Sequence, residues 1–213
     1  MLYILNNKLK VLSVLRSGGI YNESHVYALE SMCENNILKH DYDFYCLTDH
    51  DNLACKSIKL KNGFKGWWSK IELFKIEPPV LFFDLDTIIV NPIDDIISRI
   101  SNIDFCGLHD QWFPNTIQSA IMHWSVDMSF IYHKFMEDPL TPINSMWGDQ
   151  DFINTLVPNK KYIQDYADGS IVSFKANLDH GKLFNKEKHK IVYFHGLPRP
   201  WDQNVIEYPN HAY

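Results

Sequence analysis

The chain has 213 residues, with 20 Lys and Arg against 26 Asp and Glu, giving a formal charge of −6. Hydrophobic residues make up 46% and charged residues 22%, which suits a globular protein and excludes disorder as the main state. An acidic chain lacks the basic footprint of a nucleic-acid binder, and no apolar run approaches the ~18 residues that span a bilayer.

Length favours one domain over residues 1–213. The start, Met1 to Gly19, is broken by Asn6, Asn7, Lys8 and Lys10, so it lacks a signal-peptide core. Cys33, Cys46, Cys55 and Cys106 show no CxxC spacing. Cys33, Cys46 and Cys106 sit in apolar patterns, which reads as buried free thiols of a reducing, cytoplasmic compartment.

In chain order, Lys10–Leu15 reads as a buried strand, followed by a loop at Arg16–Gly19. Asn22 is placed to cap a helix with Val26, Leu29, Met32 and Cys33 on one face. Tyr42–Thr48 is a second strand, and Trp67–Ile76 a short helix stopped by Pro78-Pro79. Val80–Phe83 is wholly apolar, hence a central strand covered on both faces. A helix is expected from Asn91-Pro92, strands at Ile103–Leu108 and Ile117–Trp124, and a helix from Ser125 through Phe135. Asp149–Leu156 is a short helix, and Ile171–Phe174 and Ile191–Phe194 are late strands. This alternation predicts an α/β fold with a mostly parallel central sheet flanked by helices. Ligands of such sheets sit beyond the carboxyl ends of the strands.

The strand Val80–Phe83 runs directly into Asp84-Leu85-Asp86. If the backbone stays extended, both carboxylates point to one side. Two such anions repel unless a cation joins them, and carboxylate oxygens suit Mg²⁺ or Mn²⁺, which clamp phosphate oxygens. The strand Ile191–Phe194 likewise ends in a polar loop, His195-Gly196-Leu197-Pro198-Arg199-Pro200-Trp201. His195 is a candidate third ligand, Arg199 a planar fork for phosphate, and Gly196 allows close backbone approach. A phosphatase of the haloacid-dehalogenase type also ends a strand in DxDxT. Here Thr87 follows the second Asp one position too early. A non-catalytic glycan-binding module, using the chain's many aromatic residues as a platform, is the other alternative.

The pair Asp84–Asp86 and the loop His195–Trp201 together resemble glycosyltransferase family 8 and its GT-A relatives. Asp149-Gln150-Asp151 resembles that family's DQD element, and Trp67–Phe74 resembles the segment preceding its DxD. The similarity spans about residues 10–203. It extends to the N-terminal domain of chlorella-virus transferases that build capsid-protein glycans, which implies further domains on the same polypeptide. Arg199 stands where the family usually has Lys, and either can bind phosphate.

The resemblance implies transfer of a sugar from a UDP-sugar donor to a hydroxyl of a glycan or glycoprotein acceptor, with retention, assisted by Mn²⁺ or Mg²⁺. Asp84, Asp86 and His195 would hold the metal. Leu15, Arg16, Ser17 and Asp49 would border the nucleotide, with Leu85 between the two metal carboxylates. Lys70, singled out from the basic run Lys56–Lys75, would sit by the diphosphate, as would Gly196, Pro198, Arg199 and Trp201. Gln118 and Ser119 would line the sugar pocket, and Asp149, Gln150 and Asp151 would face the donor sugar as the catalytic group. Trp112 and Phe113 are candidates for acceptor stacking. Lys175, in Val172-Ser173-Phe174-Lys175, resembles a motif of related sequences and is given no role.

Overall fold

The computed structural model describes residues 8–113 and 115–202. Residues 1–7, 114 and 203–213 lie outside them. A seven-stranded sheet forms the centre. Its strands are β1 (Leu9–Leu15), β2 (Tyr42–Thr48), β3 (Ser57–Lys59), β4 (Val80–Phe83), β6 (Phe105–His109), β7 (Ile117–Trp124) and β8 (Lys161–Tyr162), in the order β3-β2-β1-β4-β7-β6-β8. All neighbours are parallel except the two pairings of β7, which runs against β4 and β6. The expected mostly parallel sheet is therefore present, and β4 lies at its middle.

The apolar run of β4 follows from this position. Leu81 and Phe83 enter the core cluster that contains Val26 and Leu29 of helix α1 (Glu23–Asn36). Val80 and Phe82 enter the opposite cluster, with Ile71 and Phe74 of the 3-10 helix Gly66–Lys75 and with Ile131 of α3 (Ser129–Glu137). With both faces covered, no polar residue is tolerated until the strand ends. Asn22 caps α1 as expected: its Oδ1 accepts from the Ser24 amide at 3.1 Å, and its own amide donates to His25 Nδ1 at 3.0 Å.

Two helix starts differ from the sequence reading. Helix α2 runs Asp94–Ile100, because the Asn91 side chain is committed to the carbonyls of Lys186 and His189. Helix α3 starts at Ser129, whose amide donates to Asp127 Oδ1, while the Ser125 amide is held by the Asp104 carbonyl. Short helix α4 (Leu140–Ser145) precedes α5 (Asp149–Leu156).

The late strands leave the main sheet. β9 (Ile171–Ser173) and β10 (Ile191–Tyr193) form a second sheet with β5 (Ile88–Ile89), in the order β5-β10-β9. This topology builds the site. β5 starts just after Asp86, and β10 pairs with it antiparallel, Val192 opposite Ile88. The carboxyl end of β10, where His195 emerges, is thus brought to the carboxylate turn. β9 runs parallel to β10 and ends there too.

All four cysteines are free and buried. Among the described residues no helix is long and apolar enough to cross a membrane.

His123 of β7 is buried, and burial pushes its imidazole down to about 4. The unfolded chain takes up this proton first, so folding stability falls as pH drops from about 6.5 toward 4. The site contributes about 3 kcal/mol across that window. Urea titrations at pH 7 and pH 4.5 measure it: His123→Gln flattens the slope, and an unchanged slope contradicts a buried neutral imidazole.

Candidate functional site

At the end of β4 the chain turns. The Thr87 amide donates to the Asp84 carbonyl at 3.0 Å, a turn that ends the extended backbone. The extended backbone on which the two carboxylates would share one side is therefore absent, and Asp84 and Asp86 have different partners. Asp84 meets Lys70 of the 3-10 helix, Nζ to Oδ2 3.3 Å. Asp86 is paired with the Arg199 guanidinium, which also donates to the Tyr21 hydroxyl at 2.9 Å.

Lys70 is the hub of the cluster. Its side chain is only 9% exposed, yet its ammonium stands 3.3 Å from Asp84, 3.3 Å from Asp149 and 2.9 Å from Ser119 Oγ. Burial works against its charge, but Asp149 and Asp84 outweigh that and raise its affinity for the proton. Lys56 and Lys59, from the same basic run, make exposed ion pairs with Asp43 and Asp51. Asp149 reaches Lys70 from the first turn of α5. Gly148 before it is where a Cβ would stand 3.1 Å from Trp67 Nε1, so glycine lets the Trp67 ring lie against the start of that helix.

Three carboxylates, Asp84, Asp86 and Asp149, thus face two cations, Lys70 and Arg199. Burial pushes the Asp84 carboxyl up, Lys70 pulls it back, and the Asp86 and Asp149 charges raise it again, to about 7. Burial raises Asp86 as well, against the pull of Arg199 and Tyr21. Additional positive charge would relieve this excess.

His195 follows β10. Its Nδ1 is 3.1 Å from Gln118 Nε2 and its Nε2 is 2.8 Å from Ser173 Oγ, and the Trp112 ring stands edge-on at 4.8 Å. Burial, with the Lys175 charge nearby, pushes the imidazole down to about 4, so it is neutral at pH 7. Gly196 has φ +65°, the left-handed region that glycine enters without strain. Pro198 and Arg199 follow, and Trp201 packs at 4.3 Å on His25 and 5.9 Å on Tyr21.

Among the described residues no three His, Cys, Asp or Glu groups converge as a metal set. The donor chemistry of Asp84 and Asp86 fits a divalent ion, as does their surplus charge. His195 is bonded to Gln118 and Ser173 and does not join them in such a set.

Of the remaining candidates, Ser119 joins Lys70 in the cluster, and Gln118 is bonded to His195. Asp49 braces the loop after β1: its carboxylate accepts from the Ser17 amide at 2.8 Å and the Ser17 hydroxyl, and pairs with Arg16 at 3.3 Å. Burial raises the Asp49 carboxyl, but these partners outweigh burial and lower it. Leu15 and Leu85 are buried in the core. In α5, Gln150 Nε2 donates to Asp110 Oδ2 at 3.4 Å, whereas Asp151 turns back to the Trp147 amide at 3.0 Å.

Three residues at the site escape sequence reasoning. Tyr21 and Ser173 carry no local signal. Asp110 did carry one, since it closes the apolar strand β6 as Asp84 closes β4. It is 4% exposed and holds the amides of Trp112 and Phe113 at 2.8 and 3.1 Å. Trp112 and Phe113 are themselves exposed at the rim.

No protein-family model matches the chain, and no curated protein matches it. Solved structures do. The glycosyltransferase GlyE of Streptococcus pneumoniae TIGR4 matches with TM-score 0.66 at 15% identity, over 94% of this chain and 58% of that one. This chain therefore spans less than two thirds of GlyE. The galactosyltransferase LgtC, solved with donor and acceptor sugar analogs, matches with TM-score 0.61 at 8% identity, over 92% and 90%. A glycosyltransferase involved in glycosylation of the major capsid of PBCV-1 matches with TM-score 0.56 at 16% identity, over 92% and 96%. With its seven-stranded, mostly parallel sheet flanked by helices, the chain has the GT-A fold of these glycosyltransferases.

Proposed function

We propose that this domain is a glycosyltransferase that moves a sugar from a UDP-sugar to a hydroxyl of a glycan or glycoprotein acceptor, with retention at the anomeric carbon. The observation that carries this reading is the buried charged cluster at the carboxyl end of the central strand of a GT-A fold. Within it Thr87 Oγ1, Gln118 Oε1 and Arg199 Nε are buried and lack a hydrogen-bond partner within the described residues. Buried polar atoms are nearly always satisfied, so a polar ligand is their natural partner.

The difficult step is departure of the diphosphate, on which negative charge accumulates. Arg199 presents a planar fork beside Asp86, and Lys70 offers a fixed ammonium beside Asp84. Both are in place before the reaction, so they stabilise the leaving group without reorganisation. Asp149, paired with Lys70, would face the donor sugar and favour positive charge at its anomeric carbon. Gln150 and Asp151 complete the proposed sugar-facing element, with Gln150 anchored on Asp110. Asp84 and Asp86 would hold Mn²⁺ or Mg²⁺, with His195 as third ligand. When bound, the ion supplies positive charge to the diphosphate.

The phosphatase alternative needs Asp84 free as a nucleophile, and its pairing with Lys70 and the position of Thr87 speak against that role. A viral capsid acceptor, by structural likeness to the glycosyltransferase involved in glycosylation of the PBCV-1 major capsid, is part of this proposal, as is attachment to further domains, for which the support is that the chain covers only 58% of GlyE. The test is metal-dependent binding of UDP and UDP-sugars by calorimetry. Neither a phosphatase nor a glycan-binding module requires nucleotide and metal together.

A further inference from the structure

The segment Val172–Lys175 has no part in the function derived so far, yet the second sheet delivers it to the site. β9 lies beside β10 with Ser173 opposite Tyr193. The Phe174 amide donates to the Tyr193 carbonyl at 3.0 Å, and the Phe174 and Phe194 rings stack at 4.6 Å. This extension brings Lys175 beside His195. Its Nζ donates to the His195 carbonyl at 2.5 Å and stands 3.9 Å from where a Cβ on Gly196 would be.

The other cations of the site are committed to carboxylates: Lys70 to Asp84 and Asp149, Arg199 to Asp86, and Arg16 to Asp49. Lys175 differs. Among the described residues its recorded hydrogen-bond partner is a neutral carbonyl, and no carboxylate makes an ion pair with it. An ammonium has three donors, and one carbonyl uses one of them. A positive charge is thus fixed at the mouth of the left-handed turn at Gly196, on the backbone of His195, whose ring bonds Gln118, the neighbour in sequence of the Ser119 that holds Lys70.

We propose that Lys175 is a phosphate-binding residue of this site, its ammonium taking an oxygen of the nucleoside diphosphate while it holds the His195–Gly196 backbone in place. The inference rests on the glycosyltransferase reading. It adds a cation whose charge is not already neutralised by the protein. Charge-assisted bonds to phosphate are about twice as strong as neutral ones, so the residue should discriminate the diphosphate from the bare nucleoside.

The experiment is calorimetric titration of UDP and of uridine, with Mn²⁺ throughout, into wild type, Lys175→Gln and Lys175→Arg. Gln keeps an N–H donor for the His195 carbonyl but not the charge, whereas Arg keeps the charge. The expected result is a loss of about tenfold or more in UDP affinity for Lys175→Gln. Uridine affinity stays unchanged, and Lys175→Arg restores most of the loss. Wild-type UDP affinity in Lys175→Gln overturns the proposal and leaves Lys175 a backbone brace. An equal loss for UDP and uridine overturns it too, since that marks a distorted site. If wild type binds no UDP, the glycosyltransferase reading fails by itself, and inorganic pyrophosphate decides for Lys175. Binding lost in Lys175→Gln supports an anion site, and no binding to wild type overturns it.

Discussion

Replacing Lys70 with Met destabilises the fold by about 3–5 kcal/mol, the cost of removing one partner from a buried ion cluster. The side chain is nearly enclosed, and Asp149 opposite it is 3% exposed. Methionine fills similar space but leaves Asp84 and Asp149 facing each other without a cation. Desolvated carboxylates cannot remain ionised cheaply, so they protonate and the local network rearranges. Two features separate this account from simple overpacking. The gap between wild type and Lys70→Met should narrow as pH falls, because protonated carboxyls need no cation. The double variant Lys70→Met with Asp149→Asn should recover part of the loss. Urea denaturation measures both, and a loss below about 1 kcal/mol would show that the cluster is not held by Lys70.

Replacing Asp86 with Asn or Ala lowers transferase turnover by about 10²- to 10³-fold, a loss of the size seen when one preorganised electrostatic group is removed. In the proposed mechanism Asp86 does two things: it positions Arg199, together with Tyr21, and it supplies a metal carboxylate. Asn retains a carbonyl oxygen for the Arg199 and Tyr21 hydrogen bonds but loses the charge. Asp86→Asn should therefore keep the Arg199 loop in place, at some cost in stability, and lose Mn²⁺-dependent UDP affinity. Asp86→Ala should lose that affinity and also free the Arg199 loop, seen as changed Trp201 fluorescence, since Trp201 packs on Tyr21 and His25. Unchanged UDP affinity in both variants would remove Asp86 from the site.

Much of this architecture is legible in the chain because burial on two faces leaves a plain trace. Val80–Phe83 reads as a central strand from its unbroken apolar run, and the first residue able to reach a polar partner is Asp84. Asn22 and Asp149–Leu156 are legible because caps and short amphipathic helices are local. The edge strands β3 and β8 are not, since two or three half-exposed residues carry no periodicity. The reversal of β7 and the departure of β9 and β10 into a second sheet are settled by pairing partners far along the chain. The same division holds for the site. Carboxylates that end apolar strands announce themselves. Asp84 and Asp86 take different partners after a turn that no local pattern announces, and Asp49 braces its loop because Ser17 and Arg16 fold onto it. Lys70 stood out among the lysines because apolar residues surround it in sequence, and it is the one that lies buried among acids.

The central claim is that the cluster around Lys70, Asp84, Asp86 and Arg199 receives the diphosphate of a UDP-sugar. It is tested most directly by calorimetric titration of the wild-type domain with UDP, GDP and several UDP-sugars, each with and without Mn²⁺. The account predicts saturable binding of UDP species that weakens at least tenfold when Mn²⁺ is withheld, with GDP weaker than UDP. Absence of nucleotide binding under either condition, or UDP binding indifferent to metal, would contradict it.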